Sequence, residues 1–215
     1  MAAVTSFAFN PFQENTYIVF DDTKECVIID PGCFHQAEQK TLVDYINQEG
    51  LKPVRLLNTH CHLDHIFGNQ FIFEQYGLLP EIHEGELPIL ESYPMVAERY
   101  GVPNAQPSPR PKHFIQKDEE ITFGESKMKA LFTPGHSPAS LSFHFKSEGF
   151  VIAGDVLFYE SIGRTDLPGG DYDTLIASIQ RELLPMKDET VVFSGHGPQT
   201  TIGHERKNNP FLRSI

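Results

Sequence analysis

The sequence predicts an α/β protein in αββα layers: two mixed β-sheets packed face to face, with helices outside. Three observations carry that prediction. Strand-like and helix-like segments run strands, helix, strand, helix, and the order then repeats in the second half. No linker or shift in composition separates the halves, so residues 1–215 read as one domain. Histidines and aspartates gather at four places, each just past a strand-like run, where a rigid platform can hold a precise site.

Residues 15–20 are rich in β-branched and aromatic side chains, and the turn former Asp21-Asp22-Thr23-Lys24 follows them. Residues 26–29 end at Asp30-Pro31-Gly32, so the two runs make a hairpin. In Gln36–Gln48 the apolar residues Ala37, Leu42, Val43 and Ile46 share one helical face, and Gly50 is placed to stop the helix. Residues 54–58 form a strand that delivers a histidine run at its end. Residues 67–76 read as a helix closed by Gly77. Pro88 and Pro94 break residues 84–100 into helical pieces. Pro103, Pro107, Pro109 and Pro111 mark an extended loop. Strands return at 120–123, 128–133, 141–145 and 150–153. Residues 173–184 read as an amphipathic helix, and residues 190–193 as the last clear strand.

A chain of 215 residues with 40 % hydrophobic content can bury an ample core. No run of about 18 apolar residues occurs, so no membrane span is expected, and residues 1–5 carry no basic or apolar secretory signal. Cys26, Cys33 and Cys61 offer no disulfide framework, which makes a reducing, cytoplasmic setting the expectation. The net charge of −12 repels a phosphate backbone, and two divalent cations would leave the surface acidic, so nucleic acid is not an expected partner. Nothing in the sequence distinguishes a monomer from a homo-oligomer.

Thr59-His60-Cys61-His62-Leu63-Asp64-His65 packs four donors into six residues. His136, Asp155 and His196 each follow a glycine. Buried imidazoles and carboxylates crowded in this way are costly unless a cation holds them. His60, His62, Asp64, His65, His136, Asp155 and His196 are therefore read as ligands of two divalent metal ions. With one aspartate shared, seven donors give four contacts to each ion. Zinc is the first choice, because it takes imidazole nitrogen and carboxylate oxygen; iron and manganese accept the same donors. Gly135, Gly154 and Gly195 lack Cβ and let the backbone turn sharply beside the ligands. Cys61, between His60 and His62, is a possible thiolate ligand, but neighbours in an extended segment face opposite sides, so it is expected to point away.

These residues resemble the metallo-β-lactamase superfamily, and their order and spacing resemble its glyoxalase II branch, the hydroxyacylglutathione hydrolases. The resemblance covers nearly the whole chain. It implies that His60, His62 and His136 hold one ion, that Asp64, His65 and His196 hold the other, and that Asp155 bridges. It further implies a bridging hydroxide that attacks the carbonyl of a small thioester, with Asp64 and Asp155 as the carboxylates on which catalysis depends. Residues 161–167 are similar to the loop after the bridging aspartate in glyoxalase II-like and persulfide dioxygenase proteins. The ending from Gly195 to Pro210 is similar to short bacterial glyoxalase II forms. Only 19 residues follow His196, so the longer helical region that grips glutathione in full-length members is missing. Arg164 is the candidate for a substrate carboxylate, by charge and location alone.

Blander roles fit the remaining polar residues. His144 alternates with apolar neighbours and suits an outward strand face, while His35, His83 and His113 suit surface or capping positions. His204 has no assigned task, Asp166 suits a pairing with a neighbour, and Asp30 is a turn former that could also support a ligand histidine. Two other activities share the ligand set: a persulfide dioxygenase with one iron on His60, His136 and Asp155, and a lactonase or other ester hydrolase.

Overall fold

The structure, a computed structural model, describes residues 1–102 and 104–213. Pro103 of the expected loop lies outside the described residues. By internal contacts the chain forms two compact units, one of Met1–Ile115 with Thr122–Lys127 and one of Gln116–Ile121 with the chain from Met128 onward.

The first unit holds a six-stranded mixed sheet of β1 (Ala3–Phe9), β2 (Glu14–Phe20), β3 (Glu25–Ile29), β4 (Lys52–Leu57), β5 (Pro80–Ile82) and β6 (His113–Phe114), in that order. The first three strands pair antiparallel, which confirms the expected β2–β3 hairpin. From β3 to β6 the pairing is parallel. Helix α1 (Gln36–Gln48) makes the β3-to-β4 crossover. Its stop at Gly50 is a Schellman motif: Leu51 N–H donates to Ile46 O at 2.8 Å and Gly50 N–H to Asn47 O at 3.1 Å, with Gly50 at φ +65°. Leu42 and Ile46 then pack with Ile18, Cys26, Ile28, Leu56 and Ile72. Each such aliphatic side chain, fully buried, contributes about 1.5–3 kcal/mol.

Helix α2 (Asn69–Tyr76) ends at Gly77 as expected, and residues 84–99 break into a 3-10 turn, α3 (Leu87–Glu91) and α4 (Tyr93–Arg99). Pro88 and Pro94 stand near the starts of α3 and α4, where a missing N–H costs nothing.

The second sheet runs β14 (Thr200–Thr201), β13 (Val191–Ser194), β10 (Phe150–Gly154), β9 (Leu141–Phe145), β8 (Ser126–Phe132) and β7 (Glu120–Phe123). It too is mixed, with β10 and β13 parallel and β9 and β10 antiparallel. A two-stranded piece, β11 (Leu157–Phe158) with β12 (Ser161–Ile162), follows the end of β10. Helix α5 (Tyr172–Ser178) continues into one π turn, Ile179–Leu183, in which Leu184 N–H donates to Ile179 O at 2.9 Å. Leu175, Ile179 and Leu183 bury one face against Leu131, Val151, Ala153 and Val192. Helix α6 (Ile202–Asn208) is capped by the Thr201 side chain.

No helix among the described residues is long and apolar enough to cross a membrane.

Candidate metal centre

In the first unit the donors follow β4 directly. Leu63–His65 is a 3-10 turn, and the His60 ring stands 4.7 Å from His62 and 4.1 Å from His65, centroid to centroid. His60 and His65 are fully buried. What orients them is Asp30, buried at the end of β3 in a left-handed conformation (φ 49°). Its Oδ1 accepts the Thr59 amide at 2.7 Å, and its Oδ2 accepts the Thr59 hydroxyl at 2.6 Å and faces His65 Nδ1 at 3.2 Å.

These contacts assign the tautomers. A carboxylate only accepts, so the His65 proton sits on Nδ1 and Nε2 keeps its lone pair. Thr59 gives its one hydroxyl proton to Asp30, so at 3.0 Å from His60 Nδ1 it must accept. His60 likewise presents an Nε2 lone pair. Asp30, His60 and His65 offer donor atoms within 4.8 Å of one another and could be taken for a ligand triad. Both Asp30 oxygens are already occupied as acceptors, so its place is support behind the imidazoles. The sequence reading left that role open beside the turn.

Behind this cluster lie residues that the sequence reading missed. Glu14 is fully buried, accepts the Thr16 hydroxyl at 3.0 Å and stands 3.9 Å from His65 Nδ1. Burial pushes its carboxyl well above the usual range against the pull of His65, and Asp30 and Asp64 push the same way. Glu86, also fully buried, accepts the Cys61 amide at 3.0 Å. Cys61 itself packs with Leu63, Ile66 and Phe67, as expected of a non-ligand.

In the second unit, His136 follows β8, Asp155 follows β10, and His196 follows β13. His136 Nε2 lies 3.4 Å and His196 Nε2 3.6 Å from the same oxygen, Asp155 Oδ2. Donors about 2.0–2.2 Å from a tetrahedral cation sit about 3.4 Å from each other, so these separations fit metal ligation. His136 Nδ1 donates to Arg164 O at 2.8 Å, which again leaves Nε2 for a cation. The His136 loop is seated on α5: Asp171 N–H donates to Gly135 O at 2.7 Å, and a Cβ on Gly135 would stand 2.3 Å from Leu175 N. Gly135 and Gly154 have positive φ, as the sharp turns require, whereas near His196 the positive φ falls at Gly197 rather than at Gly195.

Arg164 meets His136 through its backbone carbonyl. Its exposed guanidinium is bidentate with Asp166, at 2.6 and 2.7 Å, which is the neighbour pairing expected for Asp166. His83 caps a 3-10 turn, accepting Gly85 N–H at 3.1 Å. His144 is half-buried, the least covered position of β9, and burial lowers its pKa with help from Lys146 and Lys129. His204 stacks on Tyr159 and meets Glu160 at 3.0 Å.

Residues 9–196 match the metallo-β-lactamase superfamily, and the chain belongs to it. It is a hydrolase of that superfamily, with two mixed sheets and helices and with His/Asp groups suited to divalent metal ions. Among curated relatives it is 39 % identical to hydroxyacylglutathione hydrolase GloC of Haemophilus influenzae over 94 % of both chains. It resembles the crystal structure of TTHA1623 in a di-iron-bound form at TM-score 0.87 and 36 % identity, covering 97 % of this chain and 100 % of that one. It resembles BLEG-1 B3 metallo-β-lactamase at TM-score 0.86 and 36 % identity, covering 98 % and 99 %.

Proposed function

We propose that this chain hydrolyses a small thioester with two metal ions, in the manner of a hydroxyacylglutathione hydrolase. In this reading His60, His62 and His136 hold one ion, Asp64, His65 and His196 hold the other, and Asp155 is shared. The observation that carries it is the convergence of His136 Nε2 and His196 Nε2 on one Asp155 oxygen, at 3.4 and 3.6 Å. A carboxylate flanked by two imidazoles is suited to serve two cations. Similarity to GloC over 94 % of both chains supports the thioester as substrate class. Zinc is the metal proposed, since its usual donors are those present; the di-iron relative makes iron the alternative.

When bound, such ions activate water and polarise the acyl carbonyl. The chain's own residues do the positioning. Asp30, Thr59 and the Arg164 carbonyl fix the tautomers of His65, His60 and His136. A thiolate leaves with little need of a proton, so this substrate class makes little demand on a general acid. The exposed Arg164 guanidinium is proposed to exchange Asp166 for a substrate carboxylate. Buried, reduced Cys26, Cys33 and Cys61 accord with a cytoplasmic setting.

Similarity to BLEG-1 favours β-lactam hydrolysis as a second reading. The test is metal-loaded protein offered S-lactoylglutathione, a lactone and a β-lactam side by side. Preference for the thioester is expected. Turnover of lactone or β-lactam, with none of any acyl thioester, overturns the substrate. One iron per chain, with oxygen uptake on glutathione persulfide, overturns the hydrolase in favour of a dioxygenase.

A further inference from the structure

We propose that Asn10 is a positioning residue for Asp64: its side-chain amide pins the backbone of that ligand and thereby sets how tightly the second ion is held. The inference rests on the dinuclear reading. Asn10 ends just past β1, is 3 % exposed, and adopts a left-handed φ of 54°. Both protons of its amide are spent on the ligand side of the unit, one on Gly32 O at 3.0 Å and one on Asp64 O at 3.1 Å. Its Oδ1 accepts Phe12 N–H at 2.9 Å, and its own N–H donates to Glu38 Oε1 at 2.7 Å. Glu38 stands in the first turn of α1 and also accepts Phe34 N–H and His35 N–H, at 2.8 and 2.9 Å. A continuous chain of bonds therefore runs from the start of α1 through Asn10 to the backbone of Asp64.

Gly32 makes the approach possible. A Cβ there would lie 2.0 Å from Glu14 Oε2, 2.6 Å from Asn10 Nδ2 and 2.7 Å from Asp64 O. No side chain fits among these three groups, so the missing Cβ is what lets the amide reach the carbonyl. Asp64 needs such a tie because its turn is short. The turn's own bonds are His65 N–H to His62 O at 3.1 Å and Ile66 N–H to Leu63 O at 3.4 Å, and the Asp64 carbonyl is directed at Asn10. Loss of the amide frees the peptide that aims the Asp64 carboxylate. Groups that orient a ligand typically account for about 10–100-fold in metal affinity.

Two variants test this. Asn10→Gly keeps the left-handed backbone and removes the amide. Asn10→Asp keeps the shape and the acceptor for Phe12 but cannot donate to Asp64. The readouts are zinc per chain after dialysis, chelator competition for each ion, the absorption of the cobalt-loaded protein, and the melting temperature without metal. In both variants one ion is expected to bind about 10–100-fold more weakly while the other keeps its wild-type affinity; the metal-free melting temperature is expected to fall, more for Asn10→Asp, because two buried carbonyls lose their donor, so each affinity is read at a temperature where the metal-free variant is still folded. Wild-type affinity for both ions, or equal weakening of both, overturns the proposal and leaves the dinuclear reading standing. A wild-type protein that takes up only one ion overturns that reading, and this proposal with it.

Discussion

Asp30 decides which nitrogen of His65 keeps its lone pair, because its Oδ2 accepts the Nδ1 proton in a hydrogen bond of 3.2 Å. The same carboxylate holds Thr59, and through Thr59 it fixes His60. One buried side chain thus orients two of the histidines proposed as ligands, one at each end of the histidine run. Asp30→Asn keeps the size and tolerates the left-handed backbone, but it exchanges one acceptor for a donor. Zinc affinity is expected to fall about 10–100-fold, read by chelator competition. Unchanged affinity would show that the rings hold their orientation without Asp30.

Gly163 is expected to refuse any side chain. A Cβ there would lie 1.9 Å from Asp155 O and 3.2 Å from His136 Cβ. Gly163→Ala must displace the backbone of Asp155 or the ring of His136, at a cost of about 1–3 kcal/mol for overpacking. A fall in melting temperature together with a loss of bound metal is expected. A variant with the wild-type metal content and melting temperature would show that this loop moves aside freely.

Asp21 should link stability to pH. Burial alone would raise its carboxyl, but hydrogen bonds from Thr23, Ser126 and Glu125 outweigh burial and hold it below its ordinary value. The folded state therefore favours the carboxylate. Its contribution is full above the unfolded pKa, about 3.9, and is lost as pH falls below that value. Asp21→Asn is expected to cost about 1–3 kcal/mol at neutral pH, with the gap between variant and wild type closing in strong acid, once the folded-state carboxyl is protonated. Urea melts of the metal-free proteins in both conditions check this; a gap that widens in acid would reverse the sign.

His204→Ala is expected to leave activity near wild type. The ring stacks on half-exposed Tyr159 and meets Glu160, and no metal-ligating group is among those partners. A large fall in turnover on S-lactoylglutathione would give the tail a direct part in the reaction.

Much of the scaffold was legible because local signals agreed with tertiary ones. The apolar spacing of Leu42 and Ile46, with Gly50 behind them, bounds α1 at its observed ends. The run Leu141–Phe145 is likewise a strand over the expected residues. β1 was missed because Ala3–Phe9 mixes exposed and half-buried positions and draws its order from pairing with β2. β5 and β6, of three and two residues, are too short to show a period and exist only through their neighbours. The residues 173–184 read as one helix, yet a π turn replaces its second half, which the apolar pattern cannot reveal because Leu175, Ile179 and Leu183 still share the core face.

At the candidate site the proposed donors, and Asp30 behind them, are legible from residue type and crowding, while the other supports are not. Asn10, Glu14 and Gly32 lie far from the histidine run in sequence and meet it only through a missing Cβ. Arg164 is noticed in sequence for its charge, and the contact of its backbone carbonyl with His136 could not be read there, because any residue type supplies a carbonyl.

The most direct test of the central claim is metal content per chain at saturating zinc, for the wild type and for Asp155→Ala. Two ions are expected in the wild type. In Asp155→Ala the loss of at least one ion and of most thioester turnover is expected. One ion in the wild type, or a variant that keeps both ions and near-wild-type turnover, would contradict it.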